Sequence, residues 1–236
     1  EVPLVIVNVQ RGGPSTGLPT KTEQADLNQA MFGRNGEAPL VVLAAATPSD
    51  CFNMAYEACR IALKYMIPVI LLSDGYIANG SEPWKIPDIN SLTNIETTLT
   101  KNKSNFAPYN HDPITLARPW ALPGTPELEH RVGGLEKSDV TGHVNYDPEN
   151  HHKMVELRQQ KVDVIAKDIP QQTIYGKSQG DLLIIGWGGT HGAIRSAVES
   201  ALNLGHNVAH IHLRYLNPLP ENLGSVLLKY KKILIP

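Results

Sequence analysis

The sequence predicts an α/β protein built on parallel sheets, and three stretches carry that prediction. Residues 40–45 and 69–72 are apolar runs of strand length. Between them Cys51, Phe52, Ala55, Ala58, Cys59, Ala62, Leu63 and Met66 fall at helical spacing. Strand, helix and strand in that order make a right-handed βαβ unit. The order recurs near the C-terminus, with residues 181–185, an apolar face from Ala193 to Leu202, and residues 208–213. At the other end, the strand-like 4–9 run passes straight into a loop, residues 11–20, whose glycines and prolines can continue neither strand nor helix.

Bulk properties exclude several classes. With 21 basic against 23 acidic residues there is no cationic excess to neutralise phosphates, so nucleic acid is not an expected partner. No apolar run approaches the roughly 20 residues of a membrane span, and no signal-peptide pattern appears, so no membrane association is expected. Cys51 and Cys59 sit more than two turns apart on one predicted helix, a poor geometry for a disulfide. Reduced, buried thiols in the cytoplasm are expected. Two thiolates also cannot hold a cluster that takes four.

Taken in order, residues 4–9 read as a strand buried on both faces. The loop that follows stands at the carboxyl edge, where open α/β sheets place ligands. It offers one fixed cation, Arg11, the hydroxyls of Ser15, Thr16 and Thr20, and glycines Gly12 and Gly13 that allow close backbone approach. Two readings stand: a loop that grips a carboxylate or phosphate, or a strand-to-helix turn with an exposed arginine. Residues 23–32 are weakly helical and end near Gly33. Arg34 either reaches an anion or is a solvated loop residue.

Thr47-Pro48-Ser49-Asp50 supplies a hydroxyl cap, a first-turn proline and an acid at the positive helix end, and Pro68 closes that helix. The next strand ends in Ser73-Asp74-Gly75-Tyr76. Asp74 is a candidate functional position, a cap for the turn at Ile77-Ala78, or a partner for an arginine. From residue 80 to about 146 prolines recur, marking a packed functional excursion or an interdomain segment; Trp84 and Trp120 favour ordered packing. Asp147-Pro148-Glu149-Asn150 starts a helix over about 148–167, with Arg158, Lys161 and Lys167 on its polar face. His151 and His152 are adjacent, cannot form an i, i+4 metal pair, and are expected in solvent.

The turn at Gly186, Gly188 and Gly189 is not a dinucleotide fingerprint, because Gly192 comes one residue late and Arg214, not an acid, follows the next strand. A tight βα turn is expected. His206, His210 and His212 lack a neighbouring carboxylate or cysteine and are expected to be satisfied structural histidines. A short helix over 220–229 and a strand opening at 233–235 complete the chain. The expected organisation is 1–80, 81–176 and 177–236. A strand begins almost at once after Glu1, and the chain stops inside another at Pro236, so truncation of a longer parent is expected.

Val9-Gln10-Arg11-Gly12-Gly13-Pro14-Ser15-Thr16-Gly17-Leu18-Pro19-Thr20 resembles the signature loop in the α subunit of 2-oxoacid:ferredoxin oxidoreductases. Lys21-Thr22-Glu23-Gln24-Ala25-Asp26-Leu27 resembles the 2-oxoglutarate branch, and Ser73-Asp74-Gly75-Tyr76, His130-Arg131-Val132-Gly133-Gly134-Leu135 and Tyr146-Asp147-Pro148-Glu149-Asn150 are similar to segments of the same family. The resemblance implies that residues 1–80 are part of a pyrimidine-type thiamine-diphosphate-binding domain. It implies that residues from 177 begin a transketolase C-terminal-like α/β domain. It further implies oxidative decarboxylation of a 2-oxoacid to acyl-CoA with reduction of ferredoxin, on 2-oxoglutarate, or alternatively on pyruvate or branched-chain 2-oxoacids. Thiamine diphosphate and magnesium would be shared with a β subunit that also carries the iron–sulfur cluster; CoA completes the set.

By the same resemblance Arg11 holds the substrate's C1 carboxylate, with Ser15, Thr16 and loop amides nearby. Lys21, with Thr20, approaches the distal carboxylate, or else is a surface lysine. Gly12, Gly13 and Asp74 lie on the cofactor side. The family's cofactor-activating glutamate and a substrate-contacting threonine are expected upstream of Glu1. This chain alone is therefore expected to be inactive, with a non-catalytic interaction module as the alternative.

Overall fold

Two four-stranded sheets carry the chain in a computed structural model that describes residues 2–97, 99–101 and 103–236; Glu1 lies outside them. The first half comprises β1 (Leu4–Gln10), α1 (Leu27–Phe32), β2 (Val41–Ala44), α2 (Asp50–Tyr65), β3 (Pro68–Asp74) and α3 (Gly75–Asn79). The middle holds β4 (Leu99–Thr100), β5 (Trp120–Ala121) and α4 (Pro148–Ile165). The last part contains β6 (Tyr175–Gly176), β7 (Gly180–Trp187), α5 (His191–Asn203), β8 (Val208–Leu213), β9 (Tyr215–Asn217), α6 (Leu223–Leu227) and β10 (Tyr230–Leu234).

The first sheet runs β1-β3-β2-β9, the first three parallel. Its β2 is fully buried, as a continuous apolar run requires. On one face Val41 and Leu43 pack with Met54, Ala58 and Ile61 of α2 and with Val162 and Ile165 of α4. Burying each large side chain there contributes about 1.5–3 kcal/mol. On the other face Val42, Ala44 and Leu72 meet Ala30 of α1 and, from the far end of the chain, Trp187. The second sheet runs β10-β7-β8-β6, with β7 and β8 parallel and α5 as their crossover. The halves share a seam. Strand β9 leaves the second half to pair antiparallel with β2, and Arg214 O accepts from Ala44 N at 2.9 Å.

Several expectations need correction. Strand β1 is not buried. It lies at the sheet edge with Leu4 52 % and Val7 56 % exposed, because among the described residues it is hydrogen-bonded only to β3. The helix expected from residue 23 begins only at Leu27, and Gln24 ahead of it donates to Trp187 O in the second half. Lys161 is buried rather than on a solvated face. Arg34 is not a solvated loop residue: it donates to the carbonyls of Ala30, Met31 and Ala38, closing the end of α1. Cys51 is only half-buried and Cys59 exposed, both as free thiols.

The starts of α2 and α4, unlike that of α1, match the expected motifs. Asp147 caps α4 by accepting from Glu149 N and Asn150 N at 2.9 and 3.1 Å. Thr47 Oγ1 accepts from Asp50 N at 3.3 Å at the head of α2. The proline-rich excursion packs around Tyr109, Ala121 and Leu128, which are buried, while Trp84 stays half-exposed with its ring 5.4 Å from Phe52.

Candidate functional site

The parallel register of β1 and β3 sets Gln10 opposite Asp74, so the loop from Arg11 and the start of α3 leave the sheet at one edge. Buried Gln10 ties both ends of that loop. Its Nε2 donates to Ser73 O at 3.1 Å, and its Oε1 accepts from Asp26 N at 3.1 Å. Asn8 Nδ2 adds a bond to Asp26 Oδ2 at 3.0 Å.

Between those anchors the chain folds back on itself. Leu18 N donates to Gly12 O, Gly12 N to Lys21 O and Lys21 N to Leu18 O, each at 2.9 Å. Gly17 has φ +44°, and a Cβ there would stand 2.5 Å from Gly12 O, so only glycine fits. Ser15 adopts a left-handed φ of 54° despite its side chain.

Arg11 braces this fold. Its Nη2 donates to Ser15 O at 2.8 Å, and its Nη1 to Gly12 O at 3.2 Å and to Thr16 O. Ser15 and Thr16 thus meet Arg11 through their carbonyls, not the hydroxyls the sequence pointed to. The side chains of Ser15, Thr16, Thr20 and Lys21 are exposed, and Lys21 joins the loop through its backbone. Gly12 is buried, with Leu18 Cβ 3.2 Å from where its own Cβ would stand; Gly13 has nothing within 4 Å. The loop's outer surface is therefore open at Gly13 and along its hydroxyls.

Asp74 fulfils the capping alternative. Its Oδ1 accepts from Tyr76 N and Ile77 N at 2.9 and 3.0 Å, heading α3. Its Oδ2 accepts from Gly189 N at 2.9 Å, across the seam. At 1 % exposure the carboxylate is buried with all three of these bonds inside the protein. Sequence reasoning missed Gln24, whose Nε2 donates to Trp187 O at 2.9 Å. It also missed what the glycine turn is for. A Cβ on Gly188 would stand 2.4 Å from Gln24 Nε2, and one on Gly189 2.7 Å from Asp74 Oδ2. Two adjacent glycines that fit no nucleotide fingerprint are the available signal for such close approach.

The histidines also depart from expectation. His212 Nε2 lies 3.1 Å from Gly188 O, but its Nδ1 and the Nε2 of His210 have no hydrogen-bond partner among the described residues. Burial first, then the neighbouring His191, pushes His210 down to about 4 and His212 down to about 3. Among the described residues no group of three or more His, Cys, Asp or Glu is arranged to hold a metal ion, and no helix is long and apolar enough to cross a membrane.

The pattern of the pyruvate flavodoxin/ferredoxin oxidoreductase family, thiamine diphosphate-binding, matches residues 1–147. The chain belongs to this family. Over its whole length it is 56 % identical to a 2-oxoglutarate oxidoreductase subunit KorA of Mycobacterium tuberculosis, and it is 34 % identical over 97 % of its length to a 2-oxoacid:ferredoxin oxidoreductase α subunit of Aeropyrum pernix. It spans 36 % of the length of each. Its fold matches that of a 2-oxoglutarate:ferredoxin oxidoreductase from Magnetococcus marinus with a TM-score of 0.90 and 34 % identity, covering 99 % of this chain and 41 % of that one. That structure holds 2-oxoglutarate, coenzyme A and succinyl-CoA. The family match thus runs from β1 through the proline-rich excursion to the Asp147 cap of α4.

Proposed function

We propose that the chain is the portion of a 2-oxoglutarate:ferredoxin oxidoreductase α subunit that presents the 2-oxoacid-binding loop. The observation that carries this reading is the 56 % identity over the whole chain to a 2-oxoglutarate oxidoreductase subunit. The reaction is oxidative decarboxylation to an acyl-CoA, with electrons leaving to ferredoxin through an iron–sulfur cluster on a β subunit, in the cytoplasm. Two free thiols suit a reducing compartment and are too few for that cluster.

In this reading Arg11, already oriented by three loop carbonyls, turns the remaining N–H groups of its fork to the substrate's C1 carboxylate. The exposed hydroxyls of Ser15, Thr16 and Thr20 border the same surface, and Lys21 meets the distal carboxylate. A cation left unpaired by pyruvate discriminates against it.

The residues fit thiamine diphosphate only in part. Gly13 leaves room for a flat ring, Gly12 is closed off by Leu18, and Asp74 is engaged by amides. The diphosphate and its magnesium ion, which needs only one or two carboxylates beside the phosphates, are assigned to the partner subunit in this reading. When bound, the cofactor supplies the carbanion chemistry; this chain's residues bind and orient the acid.

Arg11→Lys in the assembled enzyme tests the reading: kcat/KM for 2-oxoglutarate is expected to fall about tenfold or more, with KM raised. Unchanged kinetics would remove Arg11 from the site. The arginine's own bonds favour a second reading, in which it is purely a loop brace. In that case the variant loses thermal stability while KM stays put. Lys21→Ala is expected to narrow the preference for 2-oxoglutarate over pyruvate by about tenfold, and an unaltered ratio returns Lys21 to the surface.

A further inference from the structure

A cavity of about 510 Å³ lies between the two halves and does not include Arg11. Its charged lining is two guanidiniums, Arg195 and Arg214, against one carboxylate, Asp50. That carboxylate is already engaged: Oδ1 accepts from Arg214 Nη1 and Oδ2 from Ala46 N, both at 3.0 Å.

Arg195 is held in place by its neighbours. Its Cζ lies 3.0 Å from the centroid of the Tyr175 ring, and its Nε donates to Glu199 Oε1 at 2.9 Å. The Tyr175 hydroxyl donates to that same oxygen at 2.9 Å. These contacts fix the guanidinium plane, while neither Nη atom meets an acceptor among the described residues. A preorganised fork without an acceptor is suited to an oxyanion.

A further observation points the same way. His210, 2 % exposed, lines this cavity, and its Nε2 has no partner among the described residues. Its ring stands 5.8 Å from that of His191. His191 begins the 13-residue helix α5 and lines the cavity with its ring, while the Gly189 amide of the turn leading into that helix is taken by Asp74. At the neighbouring start of α2, Glu82 Oε1 likewise takes the Ser49 amide at 2.6 Å.

We propose that this cavity binds the phosphoryl group of a small phosphate ester. A phosphoryl group has three free oxygens, enough to meet Arg195, Arg214 and His210 Nε2 together, where a carboxylate has two. The volume exceeds what inorganic phosphate alone would fill, which leaves room for the esterified part. The site shares no residue with the 2-oxoacid loop and stands or falls separately from the function proposed above.

The test is calorimetric titration of the full-length protein with inorganic phosphate and pyrophosphate at low ionic strength, alongside Arg195→Gln and Arg195→Lys. Saturable binding is expected, weakened about 10- to 100-fold by Arg195→Gln and by less in Arg195→Lys, which keeps the charge but loses the fork. The imidazole resonances of His191 and His210 should shift on phosphate addition and stay still with chloride. Absence of saturable binding to either anion would overturn the proposal, as would binding that Arg195→Lys leaves unchanged. Succinate binding as tightly as pyrophosphate would overturn the phosphoryl assignment.

Discussion

Asp74 and Gly189 stand 115 residues apart in sequence and are joined by a 2.9 Å hydrogen bond from the glycine amide to the aspartate carboxylate. The same side chain heads α3, so one buried carboxylate fixes a local turn and the seam between two sheets at once. Replacing it with alanine strands three amides. Asp74→Ala is expected to cost about 2–4 kcal/mol in urea unfolding, and a loss under about 0.5 kcal/mol would show that the seam does not depend on it.

Gly189 is the other side of that contact. A Cβ there would stand 2.7 Å from Asp74 Oδ2 and 3.0 Å from its Oδ1, and the carboxylate is held by α3 and cannot retreat freely. Gly189→Ala is expected to destabilise by about 1–3 kcal/mol. Combined with Asp74→Ala it should cost less than the sum of the two, because the clash disappears with the carboxylate. Strict additivity in a double-mutant cycle would refute this account of the turn.

The loop at the sheet edge has its own anchor in Gln10. Its amide joins Ser73 O to Asp26 N, spanning the mouth of the loop that holds Arg11. Gln10→Ala leaves one buried and one partly buried backbone group without partners, and about 1–3 kcal/mol of stability should go with them. If the loop binds a 2-oxoacid, KM should rise in the same variant while kcat changes less. Unchanged stability would mean the loop ends are held by the backbone alone.

Much of the architecture was legible in the sequence because it rests on local pattern. Apolar runs separated by a helical face gave β2, α2 and β3, and the residues 147–150 showed their cap directly. What the sequence hid were relationships across distance. Residues 4–9 are as apolar as a buried strand, yet β1 lies exposed at the sheet edge, since composition carries no information about what covers a face. Asp74 carried three readings at the sequence level; the Tyr76 and Ile77 amides bear out the cap, and the bond from Gly189 was in none of the three. Arg11 was recognisable as a cation on a glycine loop, but its use of its own loop's carbonyls depends on the fold-back of Leu18 onto Gly12. Lys161 sits among polar residues in sequence and is buried all the same.

A second seam fastens α2 to the end of α4. Arg60 bonds Glu57 through Nε at 2.6 Å and Asp168 through Nη1 at 2.7 Å, and Lys64 reaches Asp168 at 2.8 Å. Burial opposes ionisation of Asp168, but the Lys64 and Arg60 bonds outweigh it and hold its carboxyl below the ordinary range. Asp168→Asn, which leaves Arg60 short of a charged partner, is expected to cost about 1–3 kcal/mol. A Lys64→Met change should cost far less, because that lysine is largely solvated.

The histidine cluster predicts how stability varies with pH. His210 and His212 have pKa values pushed down to about 4 and about 3, from an unfolded value of 6.5, chiefly by burial and then by His191. His191 is lowered too, by burial and by Arg195, and Arg214 adds to the field around His212. Between the folded and unfolded values the unfolded chain binds more protons, so unfolding becomes easier as pH falls. Stability should therefore be level above about pH 7 and decline from about pH 6.5 towards pH 4, by on the order of 2 kcal/mol per histidine at pH 5. Asp168 acts in the same direction, but its stabilisation is lost only below the ordinary carboxylate range, at lower pH than the histidine decline. Urea unfolding of His210→Gln and His212→Gln between pH 5 and 7 separates the two, since each variant should flatten the slope in that window. A slope that neither variant alters would mean that these imidazoles already take up protons in the folded protein, and that the seam they line is open to water.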